Sequence, residues 1–136
     1  MTMNRKFIVM SLISTVLALF GCTSRANAEG NDTLPFKSVE VAEFAELIAD
    51  TTVVRLDVRT PEEYAEGHIE GAINIDVKQP DFEEKALATL PKDKILAVYC
   101  RSGNRSKKAC TILTNNGYKV VELATGWLGW AVTHQS

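Results

Sequence analysis

The chain has 136 residues, of which 46% are hydrophobic and 24% are charged, and these values are typical of one globular domain. All 17 Asp and Glu residues lie after position 28, together with 12 of the 15 Lys and Arg residues, so this part of the chain is acidic. An acidic balance argues against a nucleic acid as the partner. The three cysteines, Cys22, Cys100 and Cys110, form no CxxC pair and have no histidine cluster beside them, which excludes a zinc site or a disulfide framework.

The first 28 residues have the layout of an export signal. Arg5 and Lys6 precede an apolar run over 7–20, and small residues follow Gly21. The apolar run is shorter than the roughly 20 residues that span a bilayer as a helix, so cleavage is favoured over a permanent membrane anchor. The sequence therefore predicts an exported protein, either in the periplasm or anchored by a lipid to the bacterial envelope.

Two cleavage patterns occur at the end of this signal. The letters LFGC at 19–22 resemble a bacterial lipobox, in which cleavage after Gly21 would make Cys22 the lipid-attachment residue. The letters ANA at 26–28 instead fit the A-x-A pattern of ordinary signal peptidase, and cleavage after Ala28 would release a soluble protein. Both alternatives stay open.

The domain is predicted to begin after a short linker. Residues 29–33 are small and polar, and a domain over 34–136 follows them. Ser38 is expected to cap a helix whose apolar residues follow the i, i+3, i+4, i+7 spacing of a one-sided helix, namely Val41, Phe44, Ala45 and Ile48. A β-branched run over 53–58 then predicts a strand.

The next helix has a complete start signal. Thr60 supplies an N-cap, Pro61 suits the first helical position, and Glu63 completes a capping box, so a short helix should begin directly after Arg59. The later elements alternate between strand and helix: strand 72–75, helix 82–90, strand 95–99, loop 101–104, helix 105–115, strand 119–123 and a closing segment with Trp127 and Trp130. This alternation predicts an α/β fold with a mostly parallel central sheet and helices on both faces.

Cys100 is the candidate nucleophile. It follows the predicted strand 95–99, at the sheet edge where ligands bind in such folds. The polar loop after it leads into a helix N-terminus, whose N–H groups and dipole attract anions. Arg101 and Arg105 lie beside it, and both features lower the pKa of a cysteine thiol, whose thiolate is the nucleophilic form. An inert buried cysteine is the alternative interpretation.

Three motifs in this order resemble the signature of the rhodanese family. The family's active-site loop is similar to CRSGNRS at 100–106, and its upstream signature is similar to DVRTPEEY at 57–64 followed by GHIEGAINI at 67–75. The similarity extends from about Leu34 to Trp130. The sequence departs from the family at Thr125, where the first of two adjacent glycines is usual, and this departure concerns the last turn rather than the chemistry.

The resemblance implies a rhodanese-like fold and a sulfurtransferase that needs no cofactor and no metal. Cys100 would take a sulfur atom from a small anionic donor such as thiosulfate, hold it as a persulfide under the loop N–H groups, and pass it to a thiol or cyanide acceptor. The donor would be bound by the loop residues Arg101, Ser102, Gly103, Asn104 and Arg105. Which arginine contacts the donor stays open, as does the oligomeric state.

Two other functions stay as alternatives. One is a noncatalytic sulfur-carrier or docking module. The other is a cysteine phosphatase or arsenate reductase, which resembles C-x5-R, whereas only four residues separate Cys100 from Arg105 in this chain. His68 is expected to be a structural loop residue, and Cys110 is expected to pack in the core.

Overall fold

The computed structural model describes residues 34–134, so the predicted export signal, Cys22 and the linker lie outside the described part of the chain. Within that part, five strands alternate with five helices. The strands are β1 (Lys37–Val39), β2 (Val54–Asp57), β3 (Ile73–Asn74), β4 (Ile95–Tyr99) and β5 (Lys119–Leu123). The helices are α1 (Val41–Ile48), α2 (Pro61–Glu66), α3 (Phe82–Thr89), α4 (Asn104–Asn115) and α5 (Gly126–Thr133). No helix between residues 34 and 134 is long and apolar enough to cross a membrane.

The five strands form one sheet in the order β1-β5-β4-β2-β3, and every pairing is parallel. Residues 96–99 of the central strand β4 are completely buried, because helices cover both faces of the sheet. Helices α3 and α4 pack on one face through Phe82 and Leu113. Helices α1 and α5 pack on the other face through Phe44 and Trp130. The predicted α/β fold with a parallel central sheet is confirmed.

The start of the domain differs from the prediction at Ser38. This residue lies in β1, opposite Glu122 of β5, and its hydroxyl donates to Glu122 Oε1 at 2.7 Å. The N-cap position of α1 is instead Glu40, which makes no capping hydrogen bond through its side chain. A three-residue strand is too short to show the two-residue periodicity of a strand, and a serine before an apolar helix is also the usual sign of an N-cap.

The last turn forms although Thr125 replaces a glycine. Thr125 has φ of −91° and ψ of −7°, which any residue adopts. Gly126 has φ of +63°, and a Cβ there would lie 2.5 Å from the carbonyl oxygen of Arg101, so this is the position that requires glycine. The closing segment, whose secondary structure was not predicted, forms helix α5.

Gly129, one turn further along α5, makes room for Thr125. A Cβ at position 129 would overlap the Thr125 hydroxyl and lie 2.6 Å from Thr125 Cβ. We expect Gly129→Ala to lower the free energy of unfolding by about 1–3 kcal/mol through overpacking, although the same change is favourable in an unhindered helix. Denaturant unfolding of Gly129→Ala in the parent and in a Thr125→Gly background checks this. Equal effects of the alanine in both backgrounds would contradict it.

Candidate active site

The carbonyl groups of Cys100 and Arg101 are fixed by the first turn of α5. The N–H of Trp127 donates to the Cys100 oxygen at 2.8 Å, and the N–H of Leu128 donates to the Arg101 oxygen at 3.0 Å. Helix α5 thereby satisfies two of its N-terminal N–H groups and anchors the loop that follows β4. The Cys100 side chain is only 1% exposed, so the sulfur lies at the bottom of the site.

Gly103 turns the loop back over the Cys100 sulfur. Its N–H donates to Cys100 Sγ at 3.1 Å, and its φ is +107°, in the left-handed region that favours glycine. A Cβ at this position would overlap the carbonyl oxygen of Ala124, at the end of β5. Helix α4 begins at the next residue, so its N-terminus points toward the sulfur.

The two cysteines of the described part of the chain have opposite environments. Burial alone would raise the pKa of Cys100, but hydrogen bonds from the Ser106 hydroxyl and from the N–H groups of Ser106, Gly103 and Ser102 outweigh it, so the pKa lies below its ordinary value. Burial raises the pKa of Cys110 far above its ordinary value, and the charge of Glu122 adds to this rise. Cys100 is therefore the thiol that ionises more readily, while Cys110 lies in the core.

The two loop arginines have different surroundings. Arg105 forms a two-point ion pair with Glu63 of α2, with Nη1 2.7 Å from Oε1 and Nη2 2.9 Å from Oε2. Arg101 is exposed, as are Ser102 and Asn104. Of the five predicted donor-binding residues, the structure therefore brings the backbone of Ser102 and Gly103 to the sulfur and leaves three side chains at the surface.

Comparison with known proteins decides the family. Residues 40–133 match the family described as the rhodanese-like domain. The chain belongs to this family. The relatives of this rhodanese domain include a protein named "Sulfurtransferase" from Allochromatium vinosum, which is 35% identical over 95 residues, covering 68% of this chain and 86% of that protein. They also include "Thiosulfate sulfurtransferase PspE" from Escherichia coli, which is 44% identical over 71 residues, covering 52% of this chain and 67% of that protein.

A solved structure supports the same assignment. The rhodanese-related protein from Thermoplasma volcanium superposes with a TM-score of 0.66 at 33% identity, covering 74% of this chain and 96% of that one. The family and the rhodanese-like fold predicted from the motifs are thus confirmed. Between residues 34 and 134, no three His, Cys, Asp or Glu side chains come together in a way that could hold a metal ion.

Glu63 makes two sets of contacts in the rhodanese domain. Its carboxylate accepts the Thr60 N–H at 3.1 Å as the predicted capping box requires, and it also binds Arg105 of the active-site loop. The hydrogen bonds from Arg105, helped by those from Thr60 and opposed by partial burial, lower the pKa of Glu63 to about 2. A group whose pKa falls on folding stabilises the native state above its unfolded pKa and loses this contribution as the pH falls toward its folded pKa.

We expect Glu63→Gln to lower the free energy of unfolding at neutral pH by about 1–2 kcal/mol, since the ion pair is only partly exposed and Arg105 loses its charged partner. The difference from the parent should shrink between pH 4.5, the ordinary pKa of a glutamic acid, and about pH 2, where the parent carboxylate is protonated. Denaturant unfolding of both proteins across this pH range measures the difference. A gap that stays constant down to pH 2 would contradict the assigned ion pair.

Ser106, which contacts the sulfur, and Glu122, which contacts Ser106, were not among the predicted site residues. Ser106 lies in the first turn of α4, completely buried, with Oγ 3.4 Å from Cys100 Sγ. Its hydroxyl makes a very short hydrogen bond to Oε2 of Glu122, which is also completely buried. The two-residue alternation of β5 could have identified Glu122. It lies on the same face of the strand as the apolar residue Val120, so its carboxylate is expected to be buried.

The upstream motif supports the site from the other face of the sheet. Arg59 is buried, binds Asp57 at 2.7 Å and the Gly67 carbonyl at 2.6 Å, and lies 5.0 Å from the ring of Trp127. Trp127 lies in the first turn of α5, and its N–H donates to the Cys100 carbonyl oxygen. The contacts of Arg59 therefore support the turn that anchors Cys100. His68 is exposed, stacks on Tyr64 and contacts the Tyr64 carbonyl through Nδ1, which is the structural position expected for it.

Proposed function

We propose that this chain is an exported sulfurtransferase of the rhodanese type, which carries a sulfane sulfur as a persulfide on Cys100. The donor is a small anion such as thiosulfate, and the acceptor is a thiol or cyanide. The observation that carries the proposal is the cradle around Cys100 Sγ, in which the Gly103 N–H and the N-terminus of α4 face a sulfur of lowered pKa. The sulfurtransferase names of its relatives support the same activity.

The cradle suits a double displacement. The Cys100 thiolate attacks the outer sulfur of thiosulfate, a new S–S bond forms, and the old S–S bond breaks as sulfite leaves with its electron pair. The N–H groups of Ser102 and Gly103 face Cys100 Sγ, which bears the negative charge of the thiolate before the first displacement and again as the acceptor removes the outer sulfur. The acceptor then attacks the outer sulfur, and Cys100 Sγ leaves as a thiolate, which restores the starting state.

Arg101 is the proposed contact for the anionic donor. Both terminal nitrogens of Arg105 already bind Glu63, so the charge of Arg105 is neutralised by a carboxylate. Arg101 follows Cys100 directly in the chain, is exposed, and has no carboxylate partner among the salt bridges of residues 34–134. A guanidinium there offers paired N–H donors to the sulfonate oxygens of thiosulfate. Ser102 and Asn104, which are also exposed, supply the remaining polar groups of the rim.

The loop length disfavours the phosphatase alternative. A tetrahedral phosphate or arsenate needs donors around three oxygens, whereas the four-residue spacing brings the Gly103 N–H within 3.1 Å of Sγ itself. We expect the protein to release sulfite from thiosulfate and to leave aryl phosphates intact. Faster hydrolysis of an aryl phosphate than sulfite release would replace the sulfurtransferase proposal with the phosphatase alternative.

Intact mass of the protein, taken from the envelope fraction before and after treatment with thiosulfate, tests the whole proposal. An added mass of one sulfur, located on Cys100 and removed by cyanide, is the expected result. Sulfur that binds but never passes to cyanide or a thiol would favour the noncatalytic carrier alternative. The mass also reports export, because cleavage after residue 21 with a lipid on Cys22, or cleavage after residue 28, is expected. A mature protein that keeps its first residues would overturn the export proposal.

A further inference from the structure

The hydroxyl group of Ser106 lies between the Cys100 sulfur and the buried carboxylate of Glu122. Glu122 of β5 is completely buried, and its Oε1 accepts the hydroxyl of Ser38 from β1 at 2.7 Å. Its Oε2 accepts the hydroxyl of Ser106 from α4 and lies 3.2 Å from Lys107 Nζ. A charge enclosed on a central strand is costly to maintain, and its position beside the reactive cysteine points to a use in the site.

The single hydroxyl proton of Ser106 determines the direction of the hydrogen bonds in this cluster. The Ser106 hydroxyl has one proton to donate, and three acceptors surround it: Glu122 Oε2, the Gly103 carbonyl at 3.2 Å and Cys100 Sγ at 3.4 Å. While Glu122 is ionised, the charge-assisted bond to Oε2 is the strongest of the three. The lone pairs of Ser106 Oγ then accept from the thiol of Cys100, which leaves a continuous donor chain from Sγ through Oγ to Oε2.

We propose that Glu122 is a positioning residue that accepts the thiol proton of Cys100 through Ser106. The S–H proton passes to Ser106 Oγ as the Ser106 proton passes to Glu122 Oε2, so a thiol and a carboxylate become a thiolate and a carboxylic acid. The cluster contains one negative charge before and after, and no proton enters from solvent. Ser106 then donates its hydroxyl proton to the thiolate. This inference rests on Cys100 as the nucleophile of the proposed function.

The charges that face the cluster favour one shared negative charge. From α4, Lys107 lies beside Glu122 and compensates a single charge, and Arg105 is paired with Glu63. Cys110, also on α4 and influenced by Glu122, has a pKa far above its ordinary value and stays a neutral thiol. Two negative charges on Cys100 and Glu122 would be poorly compensated at this depth. A proton held between the two groups avoids that state.

A shared proton has a signature in the pH dependence of thiol reactivity. Coupled groups titrate as a pair with two macroscopic pKa values. Between those values the pair holds one proton, and the fraction that exists as thiolate does not depend on pH. The alkylation rate of Cys100 should therefore show a plateau on the acid side and a second rise at alkaline pH. An isolated thiol shows one rise only, with the rate falling about tenfold per pH unit below its pKa.

The experiment measures alkylation of the reduced protein by iodoacetamide from about pH 4 to about pH 10, with the Cys100 adduct followed by mass spectrometry. We expect the parent to show the plateau and the second rise. Glu122→Gln keeps the shape of the side chain but cannot accept the proton, so its profile should have one rise and no plateau. Ser38→Ala is the matched control, because it removes the other hydrogen bond to Glu122 and leaves Oε2 and Ser106 in place; it should keep both steps.

Ser106→Ala gives a second, independent reading. It keeps the Glu122 charge and removes the hydrogen-bonded link, so only the direct charge interaction still couples the two groups and the thiolate loses the Ser106 donor. The plateau should therefore become shorter and its alkylation rate lower. This variant and the parent profile decide the question even if circular dichroism shows that Glu122→Gln does not fold. A parent profile with one step, or a plateau of unchanged length and rate in Ser106→Ala, would overturn the relay. Because alkylation uses no sulfur donor, its outcome is separate from that of the thiosulfate and cyanide measurements.

Discussion

Cys100→Ser should lower sulfite release from thiosulfate by about 10³-fold or more, since a serine hydroxyl remains protonated at neutral pH and cannot form a persulfide. The replacement differs by one atom, and the Gly103 N–H that faces Sγ can donate to an oxygen in the same position. The melting temperature should therefore stay close to that of the parent. Sulfite release with stopped-flow or coupled detection, combined with thermal unfolding, measures both quantities.

Cys110→Ser is the matched control. Cys110 is completely buried in the core beside Ala109 and Leu113, so a serine there places a hydroxyl in apolar surroundings. We expect it to lower the free energy of unfolding by about 1–2 kcal/mol and to keep most of the activity, since this thiol takes no part in either displacement. An active Cys100→Ser protein would remove Cys100 from the mechanism. A loss of activity in folded Cys110→Ser as large as that in Cys100→Ser would place the second thiol in it.

Local patterns in the sequence predicted those features of the structure that depend on contacts between neighbouring residues. The capping box at 60–63 is a contact within one helical turn, and it forms as predicted. The apolar run over 95–99 predicts a strand buried on both faces, and Cys100 follows it at the carboxyl edge of the sheet. The family motifs then identified the rhodanese-like fold with its mostly parallel sheet, which the structure and a solved relative confirm.

The features that were missed depend on contacts between distant parts of the chain. Ser38 looks like a helix cap, but its partner is Glu122, 84 residues away. Glu63 was assigned to the capping box alone, and its second partner, Arg105, follows 42 residues later. Neither pairing leaves a periodic signal in the sequence. Ser38 meets Glu122 because β1 pairs with β5, and Glu63 meets Arg105 because α2 lies beside the active-site loop. Glu122 itself could have been found from the alternation in β5.

At the carboxyl edge of the sheet, contacts from α2, β5 and α5 hold the loop that follows Cys100. The N-terminus of α5 fixes the carbonyls of Cys100 and Arg101, and Glu63 fixes the guanidinium of Arg105. Glu122 reaches the loop from β5 through Ser106. A loop held this way keeps its N–H donors in place before any sulfur arrives, which is what electrostatic stabilisation requires. The loop should therefore tolerate very little change in its backbone.

Gly103→Ala tests that requirement and should lower sulfite release by about 10²-fold or more, because loss or misplacement of one preorganised N–H donor has effects of this size. Gly103 has φ of +107°, and the added Cβ would overlap the Ala124 carbonyl oxygen. Ala124 directly follows β5, and its N–H extends the pairing with β1 by donating to the Val39 oxygen at 2.8 Å. The strand cannot retreat without breaking its pairing, so the loop itself must move. Its N–H, now 3.1 Å from Cys100 Sγ, would move with it.

Gly117→Ala separates this effect from ordinary backbone strain. Gly117 also has positive φ, +88°, but it follows the far end of α4 and an added Cβ would meet nothing within 4 Å. Both variants should lose about 1 kcal/mol or more of unfolding free energy, because a residue with a Cβ is strained in this region. Only Gly103→Ala should lose activity when sulfite release is measured on protein that thermal unfolding shows to be folded. Similar activity in the two variants would mean that the Gly103 N–H does not stabilise the charge on Cys100 Sγ, and the cradle would have to be assigned to other groups of the loop.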